Sequence, residues 1–419
     1  MDARTVFPGV TCRFCGASHL RPFVNLGMSP PCESFLTAAQ LDQVEPFYPL
    51  DVRICPSCLL VQLREYIPAE DIFSEYAYFS SYADSWLEHA RRYAEDMITR
   101  FGLDEKSFVV ELASNDGYLL RNFVAKGIPC LGVEPAVNVA KVAIDNGVPT
   151  CVEFFGKALA ARLAEEFGQA DLIAGNNVLA QVPDLNDFVA GIKLLLAPGG
   201  IVTIEWPHVL ELMRKNQFDT IYHEHYSYFS LFTHERIWER HGMRVFDVER
   251  LATHGGSLRV FGCHADDSLK GESERLKALR TQERAAKLDS LEGYADYTSR
   301  VERTKRKLMS FLIGARDEGK RIAGYGAPGK GNTLLNFCGI RTDFIDYLVD
   351  RSAYKHGRFT PGTHIPIFPP DKLAQTRPDY ILILPWNLRE EIADQLAYTR
   401  QWGAQLVVPI PEVEIVGAT

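Results

Sequence analysis

The chain has 419 residues, too many for one ordinary domain, so two or three domains are expected. A hydrophobic content of 46% and a charged content of 24% are those of a globular protein in water. The formal net charge of -9 argues against nucleic acid or an anionic membrane as the main partner. It does not exclude anionic small ligands, which are bound by local groups. No apolar run has the length of a signal peptide or of a membrane span. We therefore expect a cytoplasmic protein with reduced cysteines.

Two CxxC motifs near the start of the chain predict a metal site. Each motif places two thiolates on one tight turn, and two such turns facing each other make a tetrahedral site that suits zinc. Unpaired buried cysteines or a redox pair are the alternatives. Because a four-sulfur site leaves no open position for water, we expect a structural role within a small zinc-binding domain, residues 1–75. The predicted ligands are Cys12, Cys15, Cys55 and Cys58.

Aromatic and hydroxyl side chains alternate after the second motif, just before a predicted helix. One interpretation is packing between domains. The other is a platform for a sugar or a base, because aromatic rings cover apolar faces while hydroxyls form hydrogen bonds. The candidate substrate-binding residues here are Tyr76, Tyr78, Phe79 and Ser80.

Residues 76–265 predict an α/β domain. Buried strands are expected at residues 107–112, 130–133, 170–173 and 201–204, and helical patterns alternate with them. This alternation is typical of a doubly wound parallel sheet, which binds its ligand over the carboxyl ends of the strands.

The turn after the first of these strands indicates which ligand is bound. Residues 113–117 are small and include one glycine, Gly117, instead of the GxGxxG of a dinucleotide site. Glu134 ends the second strand, where a carboxylate can hold both hydroxyls of a ribose. A ligand with a ribose and no phosphates fits better than a dinucleotide, and S-adenosylmethionine is the common one.

The stretch from Tyr222 to Tyr226 carries the densest proton-active chemistry in the chain. Its sequence Tyr-His-Glu-His-Tyr combines imidazoles, a carboxylate and phenols, which move protons or hold developing negative charge. A polar loop is the alternative. We expect His223, like His208 and His254, to be a structural histidine. Arg259, which follows a pair of glycines, is interpreted either as an anion ligand or as a surface residue after a turn.

The last segment, residues 266–419, predicts one or two long connecting helices and then a second α/β unit. Gly324, Gly326 and Gly329 form a GxGxxG loop that can hold a diphosphate on backbone N–H groups. Because Asp350 stands where a ribose-binding acid is expected, an NAD site is the obvious alternative.

The order of these motifs resembles the sugar C-methyltransferases of antibiotic biosynthesis, in particular the dTDP-hexose C-3 methyltransferases of D-tetronitrose biosynthesis. The resemblance rests on the two CxxC motifs, Val110–Gly117, Glu134-Pro135, residues 176–180 and Tyr222–Phe229, and it covers essentially the whole chain. It implies a class I methyltransferase domain with a Rossmann-like fold, flanked by the zinc-binding domain and by a second Rossmann-like C-terminal domain.

The resemblance also implies roles for particular residues. Glu134 holds the ribose of S-adenosylmethionine, and the methionine part and the adenine and methyl ends contact Glu111, Ser114, Asn115, Gly117, Asn176 and Asn177. The C-terminal domain holds the dTDP-sugar instead of NAD, through Lys330, Asn332, Lys355 and Asn387.

Methylation of carbon requires a carbanion, and a hydrogen next to a ketone is acidic enough for a side-chain base when the enolate oxygen is stabilised. A 4-keto sugar offers such a hydrogen at C-3. Imidazole is a suitable base at neutral pH, so we predict that His225 is the base, with Glu224 to orient it or act as the base itself and Tyr222 to donate to the oxygen. Position 181 departs from the resemblance, because Gln181 stands where a histidine is expected after residues 176–180. Either that histidine is not the essential base, or this is an altered and slower enzyme.

The sequence is therefore compatible with two functions. The first is methylation of a dTDP-4-keto-deoxysugar by a monomeric enzyme with structural zinc and with no nucleic-acid or membrane partner. The second is an NAD-dependent sugar-nucleotide oxidoreductase that uses the C-terminal glycine loop. A zinc-bearing scaffold without catalysis is disfavoured by the density of proton-active groups between Tyr222 and His225.

Overall fold

The structure, a computed structural model, describes residues 10–74, 76, 79–82 and 84–416. Within these ranges no helix is both long and apolar enough to cross a membrane. The chain forms two compact units. The first unit contains the described residues of Met1–Arg21, Ile54–Val209 and Glu224–Gly293. The second unit contains those of Pro22–Arg53, Leu210–His223 and Tyr294–Thr419.

Helices and strands alternate over most of the chain. The α-helices are α1 Ala69–Phe73, α2 Asp84–Phe101, α3 Arg121–Val124, α4 Val137–Asp145, α5 Lys157–Phe167, α6 Leu185–Leu195, α7 Val209–Arg214, α8 Leu231–Arg240, α9 Glu274–Ala285, α10 Tyr297–Asp317, α11 Gly329–Cys338, α12 Lys372–Thr376 and α13 Arg389–Gln395. The strands are β1 Arg21–Ser29, β2 Tyr48–Ile54, β3 Val61–Gln62, β4 Val109–Leu112, β5 Cys130–Val133, β6 Thr150–Cys151, β7 Ala170–Asn176, β8 Leu196–Pro207, β9 Ser227–Tyr228, β10 Met243–Leu251, β11 Ser257–His264, β12 Ile322–Tyr325, β13 Tyr347–Val349, β14 Ile367–Phe368, β15 Tyr380–Ile383, β16 Gln405–Val408 and β17 Glu414–Val416.

A seven-stranded sheet forms the centre of the first unit. Its strand order is β10-β11-β8-β7-β4-β5-β6, with β11 antiparallel to both of its neighbours. The strands from β8 to β6 are parallel. The chain reverses its direction of winding between β4 and β7, so a ligand is expected over the carboxyl ends of these two strands.

The core of the first unit lies on both faces of this sheet. Along β4, Val110 and Leu112 enter one hydrophobic cluster, while Val109 enters the other. On β7, Ile173 enters the same cluster as Val110, and Leu172 enters the same cluster as Val109. Successive side chains of a strand point to opposite faces, so these mostly apolar strands are buried on both sides, as parallel strands require.

The second unit contains a six-stranded sheet of its own. The order is β14-β13-β12-β15-β16-β17, parallel except for β17. Here the winding reverses between β12 and β15. The predicted second α/β unit is thereby confirmed.

The expected bounds differ from the observed ones at a few places. The predicted strand at residues 107–112 begins only at β4, because residues 104–107 form a turn in which Ser107 N–H donates to the carbonyl of Asp104. The long helical segment consists of two helices, α9 and α10, which belong to different units. The division into three domains, at residues 75 and 265, stays a prediction.

Candidate active site

The turn after β4 brings backbone close to the predicted ligand position. Ala113 and Asn115 have positive φ angles of 55° and 50°, and Gly117 has a φ of 79°. A Cβ atom at Gly117 would lie 2.9 Å from a methyl group of Val148. Only glycine therefore fits here, both for its backbone conformation and for space.

Glu134, at the end of β5, is buried beside this turn. Its carboxylate accepts the N–H of Asn115 at 2.9 Å and the N–H of Ala136 at 2.8 Å. Burial raises the pKa of Glu134, and the two backbone donors counter that shift. Each oxygen keeps a further lone pair, so the geometry suits the predicted role of holding ribose hydroxyls while it shapes the turn.

Several buried polar atoms at the ends of β4 and β7 lack hydrogen-bond partners among the described residues. A buried polar atom without a partner costs free energy, so such a cluster indicates a missing ligand. The atoms are Ser114 Oγ, Asn176 Oδ1, Asn177 Oδ1 and both carboxylate oxygens of Glu111. Burial raises the pKa of Glu111 well above its ordinary value, and the nearby Tyr118 hydroxyl opposes this shift. An ammonium group and hydroxyls, as in S-adenosylmethionine, fit these acceptors.

Three aromatic residues for which the sequence predicted no role at the site, Trp86, Tyr118 and His254, complete this edge of the sheet. Asn176 donates to the Tyr118 hydroxyl at 3.1 Å, and the Asn177 amide lies 3.1 Å from His254 Nε2. The Trp86 ring stacks on Tyr118 at 5.9 Å and meets the edge of His254 at 5.6 Å. His254, expected to be merely structural, therefore lies at the candidate site. The backbone of His254 has a positive φ of 52°, but a backbone angle cannot be read from the sequence. The sequence therefore offers no local indication of this position.

Arg259 forms a buried ion pair instead of lying on the surface. It is 4% exposed, and its guanidinium lies 2.5 Å from Glu205 and 2.9 Å from Glu249. His89 lies 3.2 Å from the second oxygen of Glu205. The interpretation of Arg259 as a surface residue is wrong, because β11 is an interior strand of the sheet between β8 and β10.

The stretch from Glu224 to Tyr226 packs inside the first unit. Tyr76 donates its phenol hydrogen to Glu224 Oε2 at 3.0 Å. The N–H of Tyr226 donates to the carbonyl of Ala180 at 2.8 Å. Ala180 precedes Gln181 in the short helix after β7, so His225 and Gln181 belong to two segments joined by a backbone hydrogen bond.

Tyr222 and His223 belong to the second unit, and the chain passes into the first unit after His223. Tyr222 is half-buried. His223 is 3% exposed, and its Nε2 lies 3.3 Å from the carbonyl of Tyr48. Burial lowers the pKa of His223 to about 4, so the ring is neutral at pH 7. This geometry agrees with the expectation of a packing residue.

The predicted aromatic platform lies against the turn after β4. The N–H of Ser80 donates to Asn115 Oδ1 at 2.8 Å, and Ser80 is buried. Phe79 stacks on Tyr82 with ring centres 5.3 Å apart. Tyr78 lies outside the described residues. The segment therefore contacts the same turn as the predicted cofactor.

The glycine loop of the second unit is already capped by carboxylates. Asp350 accepts the N–H of Ala327 at 2.7 Å. Glu33 accepts a hydrogen bond from the backbone of Gly329, and a Cβ there would lie 2.6 Å from Glu33 Oε1. Lys355 donates to the carbonyl of Ala327 at 2.7 Å. A diphosphate at the start of α11 would have to displace Glu33.

The other predicted substrate residues of the second unit differ in exposure. Asn332 is 1% exposed, and its amide donates to the carbonyl of Cys32 at 2.6 Å. Lys330 donates to Asn387 Oδ1, and its Nζ lies 4.7 Å from the centre of the Trp386 ring. Burial lowers the pKa of Lys330 to about 8.

The four predicted metal ligands converge in the first unit. Their sulfur atoms all lie within 4.8 Å of one another. Cys12 and Cys58 are 3.5 Å apart, as are Cys15 and Cys55. Tetrahedral zinc with bonds of about 2.3 Å places sulfurs about 3.8 Å apart, so the cluster fits a zinc ion.

Family models match almost the whole chain. A domain described as zinc binding matches residues 12–73, a methyltransferase domain matches residues 86–248, and a C-methyltransferase C-terminal domain matches residues 252–411. The C-methyltransferase NovU of Streptomyces niveus is 36% identical over 409 residues, 97% of each chain.

Solved methyltransferase structures are less similar. The magnesium protoporphyrin IX methyltransferase of Synechocystis PCC 6803 is 10% identical over 42% of this chain and 78% of its own, with a TM-score of 0.32. The 1,6-didemethyltoxoflavin-N1-methyltransferase of Burkholderia thailandensis is 20% identical over 44% of this chain and 82% of its own, also with a TM-score of 0.32. Scores this low support no argument about the site.

The family models and the cysteine cluster bear out both predicted cofactors, S-adenosylmethionine and structural zinc. They also confirm the predicted fold class, a class I methyltransferase domain with a zinc-binding domain and a C-terminal α/β domain. The chain is an enzyme and belongs to the C-methyltransferase family.

Proposed function

We propose that this enzyme methylates C-3 of a dTDP-4-keto-deoxyhexose, including 3-amino sugars, in antibiotic deoxysugar biosynthesis. A C-methyltransferase needs a carbon nucleophile, and the carbon next to a ketone becomes one when a base removes its hydrogen. The reaction therefore requires a base, a group that orients it and a donor to the enolate oxygen.

The observation that carries this proposal is the hydrogen bond from Tyr226 N–H to the carbonyl of Ala180, 2.8 Å long. It joins the proton-active stretch to the segment that follows β7. The end of β7 carries Asn176 and Asn177, whose buried side-chain oxygens have no hydrogen-bond partner among the described residues. This hydrogen bond supports the proposal, because the proposed base and the proposed methyl-donor site belong to neighbouring segments of one unit.

In the proposed reaction, His225 takes the hydrogen from C-3 as a proton. Glu224, held by the phenol of Tyr76, orients the imidazole and stabilises its positive charge. Tyr222 donates a hydrogen bond to the C-4 oxygen as it gains negative charge. When bound, S-adenosylmethionine supplies an electrophilic methyl group on its sulfonium. The C-3 carbanion would accept this methyl group, and the cofactor, held by Glu111 and Glu134, would become the neutral thioether S-adenosylhomocysteine.

For the cofactor we propose that Glu111 holds the ammonium group and Glu134 the ribose. The turn formed by Ser114, Asn115 and Gly117 lines the methionine part. Asn176 and Asn177 lie near the adenine and methyl ends. The unpartnered buried oxygens of Glu111 and both asparagines support this assignment.

For the sugar nucleotide we propose contacts from the aromatic segment and from the second unit. The proposed residues are Tyr76, Tyr78, Phe79, Ser80, Lys330, Asn332, Lys355 and Asn387. The two lysines support an anionic ligand through their charge. Because Asn332 is buried, only a ligand group that reaches the first turn of α11 contacts it. We further propose three domains, divided at residues 75 and 265, in a cytoplasmic monomer.

The experiment is to incubate the enzyme with S-adenosylmethionine and a panel of dTDP-4-keto sugars. Mass spectrometry should show a gain of one methyl group, and NMR should place that methyl group on C-3. Calorimetry should show binding of S-adenosylhomocysteine. Tight binding of NAD without binding of S-adenosylhomocysteine would contradict the proposal. No observation favours the oxidoreductase, since Asp350 and Glu33 already cap the glycine loop.

A further inference from the structure

A buried cluster in the second unit borders the segment that leads into Tyr222. The carboxylate of Asp219 accepts the indole N–H of Trp386 at 2.6 Å. Asp219 is 0% exposed. The ammonium of Lys330 lies 4.7 Å from the Trp386 ring centre, and its positive charge lowers the pKa of Asp219 against the effect of burial. Two side chains from distant parts of the sequence, Lys330 and Trp386, thus converge on Asp219 in one short helix, Phe218–Thr220.

The helix α11 holds the same segment at two further points. The hydroxyl of Thr333 donates to the carbonyl of Ile221 at 3.2 Å. The rings of Phe218 and Phe337 meet edge to face, with centres 5.3 Å apart. The glycine-loop helix, which in a nucleotide-binding protein would face a ligand, is here attached along its length to residues 218–221.

We propose that Asp219, Lys330 and Trp386 are positioning residues that fix the chain directly before the Tyr222–His225 stretch. They act through Tyr222, the proposed hydrogen-bond donor to the C-4 oxygen. They hold the segment that contains Tyr222 and leads to the proposed base, His225. The inference rests on the proposed function for its catalytic consequence only. It assigns to Lys330 a role in the folded chain in addition to its proposed contact with the sugar nucleotide.

The chemistry of the cluster explains why it can hold a segment firmly. A buried carboxylate is stable only when it is paired and hydrogen-bonded. Asp219 receives a charge-assisted hydrogen bond from Trp386 and the positive charge of Lys330, so displacement of residues 218–221 breaks both. Lys330 is held in turn by its hydrogen bond to Asn387.

The test compares Trp386→Phe with a matched control, Trp402→Phe. Both changes remove one indole N–H in the second unit, because Trp402 donates to the carbonyl of Pro378 at 3.1 Å. Amide hydrogen exchange of the peptide covering residues 218–226 reports directly on how firmly this segment is held. Trp386→Phe should speed that exchange about tenfold, whereas Trp402→Phe should leave it within about twofold of the parent.

A second variant, Asp219→Asn, keeps an acceptor for Trp386 but removes the charge that faces Lys330. It should also speed amide exchange of residues 218–226, and it keeps the test decisive if Trp386→Phe folds poorly. Equal amide exchange in the parent and in the variants of Asp219 and Trp386 would overturn the proposal. If Trp386 had a purely structural role, both tryptophan variants would show an equal fall in melting temperature. Amide exchange of residues 218–226 would then stay at the parental rate in both.

Solvent exchange of the C-3 hydrogen, measured without methyl donor, gives the catalytic consequence. Trp386→Phe should slow it about tenfold through kcat, with little change in KM. A parent enzyme that exchanges no C-3 hydrogen with any 4-keto sugar would contradict the proposed function instead. The amide measurement then still decides whether Asp219 and Trp386 hold the segment.

Discussion

The phenol of Tyr76 donates a hydrogen bond to Oε2 of Glu224 at 3.0 Å, although the two residues are 148 positions apart in the sequence. Tyr76 was predicted as part of a sugar platform, and Glu224 as a partner of the base His225. Their contact joins these two proposals, because a residue that holds Glu224 also limits how the carboxylate can face the imidazole.

Replacement of Tyr76 by phenylalanine should slow methylation about tenfold, because a hydrogen bond to a charged carboxylate is lost while the ring is kept. Steady-state rates with S-adenosylmethionine and the 4-keto sugar measure the effect. Tyr380→Phe, which removes a phenol hydroxyl from β15 in the other unit, is the matched control. Equal rates for Tyr76→Phe and the parent would show that Glu224 needs no help from Tyr76.

Gln181 is expected to limit the rate, because glutamine cannot take a proton at neutral pH. Gln181→His, which introduces the histidine that the resemblance implies, should raise the rate about tenfold, since a second imidazole then lies on the segment bonded to Tyr226. The exposed Gln43→His is the control for adding a histidine elsewhere. An unchanged or lower rate in Gln181→His would mean that the stretch from Tyr222 to His225 suffices alone.

The zinc site should be required for folding of the segment around it. Cys58→Ser removes one of four ligands, so metal analysis should show loss of zinc, and the melting temperature should fall on the order of 10 °C. Cys151→Ser changes a half-buried cysteine outside the cluster and should retain zinc. A folded parent without zinc would contradict the assignment.

His223 should make the free energy of unfolding depend on pH. Its pKa is about 4 in the folded chain and near 6.5 when unfolded, so the unfolded chain binds a proton first as the pH falls. Stability should therefore drop by about 3 kcal/mol between pH 6.5 and pH 4. In His223→Gln this contribution should be absent, which urea unfolding at both pH values can measure. Parallel pH dependences of the parent and the variant would contradict burial of a neutral ring.

Much of the fold could be predicted from the sequence. Strands such as β4 and β5 are mostly apolar, and the glycine and the acid that follow them, Gly117 and Glu134, carry a physical signal. The cysteine motifs were equally clear, because ligand spacing on a turn is local. Local patterns of this kind were enough for the fold class and for both cofactors.

Other parts of the candidate site could not be predicted, because they depend on contacts between distant elements. Trp86, Tyr118 and His254 come from three elements and meet only in the folded unit. Arg259 is indistinguishable in sequence from a surface residue until Glu205 is placed beside it. The glycine loop has the pattern of a nucleotide site, yet Glu33, which faces Gly329, lies almost three hundred residues earlier in the sequence.

The central claim is that His225 removes the C-3 hydrogen of a 4-keto sugar. The most direct measurement is NMR in deuterium oxide, with the sugar nucleotide and enzyme but without the methyl donor. The parent should replace the C-3 hydrogen by deuterium. His225→Asn should slow this replacement at least about a hundredfold, while the exposed His19→Asn should match the parent. Replacement at the parental rate in His225→Asn would show that another group is the base.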